Sequence, residues 1–224
     1  MRHGRFRLVV LGACAALASG ASAQEKIQGP WLWMMAPCAA GAGGAACTDI
    51  DSLDEATKGK VKEQTIADKG AKEGDKVGDK AWKAGKISPV GGNNVNAVMN
   101  ALGLGVGDIN DHSSYAWINV VSKTAQRGVT MRVGSDDSIK VWLNGKVVHK
   151  NPVNRGAGDF QDTFTVDLKA GNNSLLVKVS ERGGGWSMFV GIDAKVDFDL
   201  KQPGVQAVEA RGKLATSWAA MKSR

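Results

Sequence analysis

Between residues 115 and 192 the chain is a succession of seven short runs of β-forming residues, and no helical pattern separates them. The runs are 115–121, 129–133, 139–143, 147–150, 160–168, 174–179 and 186–192. Turn residues part them: Arg127-Gly128, Gly134-Ser135-Asp136-Asp137, Asn144-Gly145, Ala170-Gly171-Asn172-Asn173 and residues 182–185. Parallel neighbours need a crossover of a dozen or more residues, usually a helix, so these gaps predict an all-β antiparallel sandwich and exclude a parallel α/β enzyme. The alternation agrees. Val129, Met131 and Val133 share one face, as do Ile139, Val141 and Leu143, and then Phe164, Val166 and Leu168. Asn144-Gly145 predicts a tight hairpin, because both central positions of a type I′ turn need positive φ.

The first 23 residues stand apart from that pattern. Arg2, Arg5 and Arg7 make a positive start, residues 8–18 are apolar, and Ala21-Ser22-Ala23 is a small-residue cleavage site. As a cleaved secretory signal, residues 1–23 leave 224 − 23 = 201 residues, ample for a buried core, and a net charge of 7 − 3 = +4. So small a surplus, with acids and bases interleaved, argues against a nucleic-acid binder. The same segment contains Leu11-Gly12-Ala13-Cys14, a lipoprotein-box pattern that would leave a lipid on Cys14. Only residues 8–13 precede it as an apolar run, which favours plain cleavage. Export to the periplasm or beyond is expected on either route.

Cys38 and Cys47 are the two cysteines after residue 23. In an oxidising compartment they most simply close a disulfide, worth about 2–3 kcal/mol for so short a loop. A metal or redox pair would want Cys-x-x-Cys spacing or a nearby histidine. The uncharged stretch 27–48 is broken by Pro30, Pro37 and four glycines, so a soluble chain without a membrane span is expected.

Residues 49–86 carry nine lysines and nine acids, a composition that reads as a charged, solvated loop over about 49–80, with a helical turn near 53–66. A lysine beside nearly every carboxylate argues against a calcium loop there. Residues 93–102 fit a short helix through Val95, Val98 and Leu102. Leu-Gly-Leu-Gly-Val-Gly at 102–107 is a turn-rich loop, since its third glycine comes one residue early for a dinucleotide fingerprint. Beyond Pro203 the residues Val205, Val208, Ala215, Trp218 and Met221 fit one apolar stripe. A β-sandwich domain over 24–200 followed by a short C-terminal helix in 201–224 is therefore expected, the helix folded back on the sandwich or docked to a partner.

The segment Val133-Gly134-Ser135-Asp136-Asp137-Ser138-Ile139-Lys140-Val141-Trp142-Leu143-Asn144-Gly145 resembles the galactose-binding-like and PA14-like β-sandwich modules of exported bacterial proteins, often found beside glycoside hydrolases. Phe164-Thr165-Val166-Asp167-Leu168 and Ala170-Gly171-Asn172-Asn173 continue the pattern, and Gly29-Pro30-Trp31, Trp82 and Gly184-Gly185-Trp186 match its opening, edge and closing strands. The resemblance spans about 27–198, most densely after about 113. It implies a jelly-roll-type sandwich that binds carbohydrate without catalysis, a step that rests on analogy of fold.

Asp136-Asp137 is the most informative pair. In sugar-binding relatives of the PA14 type a paired Asp at this place binds calcium, which grips vicinal hydroxyls; the resemblance so implies Ca²⁺ at Asp136 and Asp137, whose hard oxygens suit it. The plain alternative has one Asp capping the turn and the other facing water. Trp142 alternates with Ile139, Val141 and Leu143, so it is either a stacking platform for a pyranose ring or packing beneath a second layer. Trp117 and Trp186 pose the same choice; Trp31 and Trp33 read as core. Asn151, Asn154 and Arg155 occupy a polar loop after the hairpin, and their forked donors suit sugar hydroxyls or carboxylates; the bland alternative is a solvated loop.

Catalysis finds little support. His112 and His149, the histidines after residue 23, lack metal-ligand spacing, and adjacency in Asp111-His112-Ser113 points the three side chains apart rather than together. Two expectations follow. The first is an exported non-enzymatic module whose partner is a glycan or cell-envelope polysaccharide, held with calcium. The second is a structural or protein-interaction component of the envelope that uses residues 203–224 as its contact.

Overall fold

The computed structural model describes residues 25–38 and 43–202. The signal, Cys14 and the C-terminal helix expected above lie outside the described residues. In chain order the elements are β1 (Trp31–Pro37), α1 (Gly43–Cys47), α2 (Ser52–Thr57), α3 (Glu63–Lys69), β2 (Lys76–Val77), β3 (Lys80–Ala81), β4 (Lys83–Gly85) and α4 (Asn94–Ala101). Then come β5 (His112–Ser122), β6 (Gln126–Asp136), β7 (Ser138–Leu143), β8 (Lys146–Asn151), β9 (Asp162–Leu168), β10 (Gly171–Glu181), β11 (Ser187–Ile192) and β12 (Val196–Asp199). The large sheet runs β4-β1-β5-β10-β7-β8, with β12 beside the end of β5; the small sheet runs β11-β6-β9. Every named strand pair is antiparallel, so the fold is an all-β sandwich. Asn144 and Gly145 take φ 53° and 80°, as the turn between β7 and β8 requires.

Between the sheets lies the main core. The large sheet contributes Ala116, Ile118, Leu175, Val177, Ile139 and Val141, and the small sheet answers with Met131, Val133, Val166, Met188 and Val190. Helix α4 adds Val95, Val98 and Met99. Residues 25–27 run beside the last residues of β11, where Lys26 bridges Gly191 and Ile27 N donates to Val190 O at 2.7 Å.

The large sheet is covered on its other face too. Leu32, Met34, Tyr115, Trp117, Leu176 and Trp142 form a second core with Leu53, Ile66, Ala67, Ala71, Val77 and Trp82. The segment 49–80 is therefore a helical layer and not the charged loop its composition suggested. Its few apolar residues point inward while most of its charges, Glu63 excepted, lie on the outer side, and burial rather than composition decides the outcome. Asp51 ties the layer together: its side chain caps α2 through Asp54 N and accepts Glu63 N at the head of α3, each at 2.9 Å. The Cys38–Cys47 disulfide joins the end of β1 to α1.

A buried polar cluster pins this layer to the sheet. Lys178, pointing outward from β10, is buried and donates to Glu63 Oε1 at 2.6 Å and to Ile50 O at 2.5 Å. Tyr115 OH donates to the same Glu63 oxygen at 2.7 Å. Burial lowers the Lys178 pKa against the pull of Glu63, so the ammonium depends on its partner.

Candidate functional site

Three times, at one end of the sandwich, the chain passes from one sheet to the other. β6 ends at Asp136 and β7 begins at Ser138, so Asp137 is the whole connection. Residues 152–161 carry β8 to β9, and residues 182–186 carry β10 to β11. The register sets these crossovers side by side, since Asp136 faces Ser187, Ser138 faces Ser180, and Val133 faces Asp162. A sandwich that changes sheets without helices must gather its connections at the poles, and this pole gathers acids.

Asp136 and Asp137 are joined by a cis peptide bond. Asp137 accepts from Arg155 N through Oδ1 at 3.1 Å and from Arg182 N through Oδ2 at 3.2 Å, so it holds the two neighbouring crossovers. Asp136 Oδ2 accepts from Ala157 N at 3.2 Å. Burial and the adjacent Asp137 raise the Asp136 pKa to about 6, against the Ala157 N–H. Asp137 is raised as well, by burial, and its two backbone N–H donors and the Arg182 charge hold it back.

Two glycines bring the backbone tight against this pair. A β-carbon on Gly185 would stand 2.5 Å from Asp136 Oδ2 and 2.7 Å from Gly92 O. One on Gly44 would stand 2.5 Å from Asp137 Cβ and 2.6 Å from Ser180 O. Any side chain at either position would displace an oxygen of the site.

Sequence reasoning missed Glu181. It closes the inward series Leu175, Val177, Val179 of β10, so its side chain turns into the sandwich end. The residue is 0 % exposed, and neither carboxylate oxygen has a hydrogen-bond partner. Burial raises its pKa to about 8, and Asp137, Asp108, Asp136 and Asp111 add to the effect in that order. The one available signal was an acid at the fourth inward position of an apolar strand.

The other predicted residues are placed differently. Trp142 is 2 % exposed within the second core, with Lys140 Nζ 4.7 Å from its ring centre, so it packs and offers no face to a sugar. Trp117 and Trp186 are fully buried too. Arg155 spends its guanidinium on Asp162, at 2.7 and 3.1 Å, and on Ser135 Oγ at 2.8 Å. Asn151 donates to the same Asp162 at 3.0 Å. Burial raises the Asp162 pKa, but these bonds and His149 outweigh it and the net shift is downward. Arg155 and Asn151 therefore build the loop and are not free to grip a ligand. Asn154 is exposed and accepts from Ala45 N at 2.8 Å, which fastens the loop over α1.

Among the described residues no three His, Cys, Asp or Glu side chains converge closely enough to hold a metal alone. Asp136 and Asp137 fit calcium as a carboxylate pair whose remaining ligands must be neutral oxygens, and the Gly92 carbonyl stands across Gly185 from Asp136. Glu181, its oxygens unpartnered and its pKa raised in part by four neighbouring acids, shows that this pole gathers carboxyl groups that the protein does not pair. No helix among the described residues is long and apolar enough to cross a membrane.

The family model for alpha-L-rhamnosidase, domain D2, matches residues 109–221. No curated protein sequence matches the chain. Similar solved structures include the PA14 domain of the antifreeze protein MpAFP, at 14% identity, covering 82% of this chain and 92% of that one with a TM-score of 0.46. A PA14 sugar-binding domain from an RTX adhesin is 15% identical, over 79% and 96% of the two chains, with a TM-score of 0.39. A Faecalibacterium prausnitzii beta-glucuronidase is 16% identical over 75% of this chain and 22% of the enzyme, with a TM-score of 0.36.

Proposed function

Because the chain belongs to the family of alpha-L-rhamnosidase domain D2, we propose that it is an exported, non-catalytic sandwich module that binds carbohydrate through calcium held at Asp136 and Asp137. One observation carries this reading: two adjacent carboxylates with raised pKa stand side by side at the crossover pole, and two glycines let the backbone of neighbouring segments close in against them. Calcium bound there would supply a hard cation that accepts vicinal hydroxyls as ligands. Asp136 and Asp137 would hold the ion, and the backbone donors of Ala157, Arg155 and Arg182 keep both carboxylates aimed. With Trp117, Trp142 and Trp186 buried, recognition falls to hydroxyl coordination and loop hydrogen bonds rather than to ring stacking. Binding by a single such site is weak. The disulfide and the signal pattern of residues 1–23 support export.

The family description makes rhamnose-containing glycans the first ligands to try. The test is a glycan array with the chain from residue 24 onward, run with calcium and again with chelator. Binding that needs calcium and is lost in Asp136→Asn and Asp137→Asn supports the proposal. Silence in both conditions from folded protein would leave the structural, protein-contacting alternative in its place.

A further inference from the structure

We infer that Glu181 is a third anionic group of the cation site, supplying from the interior the charge that makes the pole prefer a divalent ion. The inference rests on the calcium reading of Asp136 and Asp137 and extends it to a residue outside the pair.

Three observations carry it. The first is placement: β10 ends at Glu181, Arg182 N is bonded to Asp137 Oδ2 at 3.2 Å, and the side chain turns into the same pole. The second is the missing partner. Elsewhere among the described residues, Glu63 is answered by Lys178 and Tyr115, and Asp162 by Arg155, Asn151 and His149. Glu181 is fully buried with both oxygens unpartnered. A buried carboxylate without a donor is costly, and such a group is kept where an ion or ligand completes it. The third is the sign of its surroundings. Asp137, Asp108, Asp136 and Asp111 are the charges that act on it most, and all four are acids.

Glu181 need not enter the inner coordination shell, and among the described residues no three acidic side chains converge closely enough for that. Its charge acts through a poorly solvated interior, where a second carboxylate layer raises affinity for a doubly charged ion far more than for a singly charged one. Asp136 and Asp137 thus touch the ion, and Glu181 tunes which ion they take.

The experiment is a direct titration of chelator-treated protein with Ca²⁺, followed by calorimetry, and with Tb³⁺, followed by sensitised luminescence. It is run on wild type, Asp137→Asn and Glu181→Gln, with Na⁺ as the monovalent competitor. Glu181→Gln keeps the shape and removes the charge. The expected result is at least a tenfold weaker calcium Kd and reduced discrimination against Na⁺, with metal-free thermal stability equal to or above wild type. Should the glutamine variant fold poorly, Glu181→Leu, which continues the inward apolar series of β10, carries the same test. Calcium binding lost in Asp137→Asn but unchanged in Glu181→Gln would overturn this inference and leave the calcium reading intact. Absence of calcium binding in wild type would overturn both.

Discussion

A buried acid held above its ordinary pKa makes the metal-free protein less stable as it ionises, and Glu181 is a carboxyl group strongly shifted in this way. Its carboxyl moves from 4.5 to about 8 on folding. The raised value favours the protonated form in the folded chain. Its contribution is therefore fully present below pH 4.5 and is lost as pH climbs through about 8. The full difference corresponds to about 5 kcal/mol, a ceiling set by complete burial. Local opening that wets the carboxylate offers a cheaper route, so we expect about 2–4 kcal/mol to disappear between pH 5 and 8. Asp136, raised from 3.8 to about 6, adds to the lower part of that window. Asp49 and Asp162 are shifted down, so their opposite contribution is complete below it. The assay is urea unfolding of chelator-treated protein at half-unit pH steps. Wild type should weaken steadily from pH 5 to 8, Glu181→Gln should flatten above pH 6, and calcium should flatten wild type. A wild-type profile without slope between pH 6 and 8, or an unchanged slope in Glu181→Gln, would refute the reasoning.

Trp142→Ala removes a fully enclosed ring from the second core and should cost about 3–5 kcal/mol in urea unfolding while leaving calcium affinity unchanged. Gly44→Ala puts a methyl 2.5 Å from Asp137 Cβ and 2.6 Å from the Ser180 carbonyl; calcium titration should show at least tenfold weaker binding. Lys178→Met strands Glu63 in the interior and should cost about 3–5 kcal/mol, of which the double variant Lys178→Met/Glu63→Leu recovers a substantial part; a double-mutant cycle by urea unfolding measures the recovery.

The sandwich was legible because its strands obey a two-residue period and its turns use residues that accept positive φ. Val129 to Val133 and Asn144-Gly145 announce themselves in this way. Of the helical layer only a helical turn near 53–66 was legible, for a compositional reason. Its seven lysines and nine acids drown the signal of Leu53, Ile66, Ala67, Ala71 and Val77, which matter only because Trp117 and Trp142 wait on the sheet opposite. That same cover turned Trp142 from a candidate platform into core: the strand pattern correctly set its face, but no pattern within the strand tells what lies above that face. Asp136 and Asp137 stood out because they lie together. Their surroundings could not, since Arg155, Arg182, Gly44 and Gly92 reach them from four distant parts of the chain. Glu181 offered only its inward place on β10 as a signal, and its missing partner is a fact of three dimensions.

The gathering of the acid-bearing crossovers at one pole gives the molecule a direction. The chain enters the sandwich at the other end, where Lys26 and Ile27 lie beside Val190 and Gly191, while Ser187 at the opposite end of β11 faces Asp136. At about 3.3 Å per residue, the length of β11 separates the two. A tether attached ahead of residue 25 would therefore pull along the strands and leave the acidic end leading. Mounted on a surface or at the end of a longer polypeptide, the sandwich would act as a spacer as well as a binder, its Asp136 end held away from the mount.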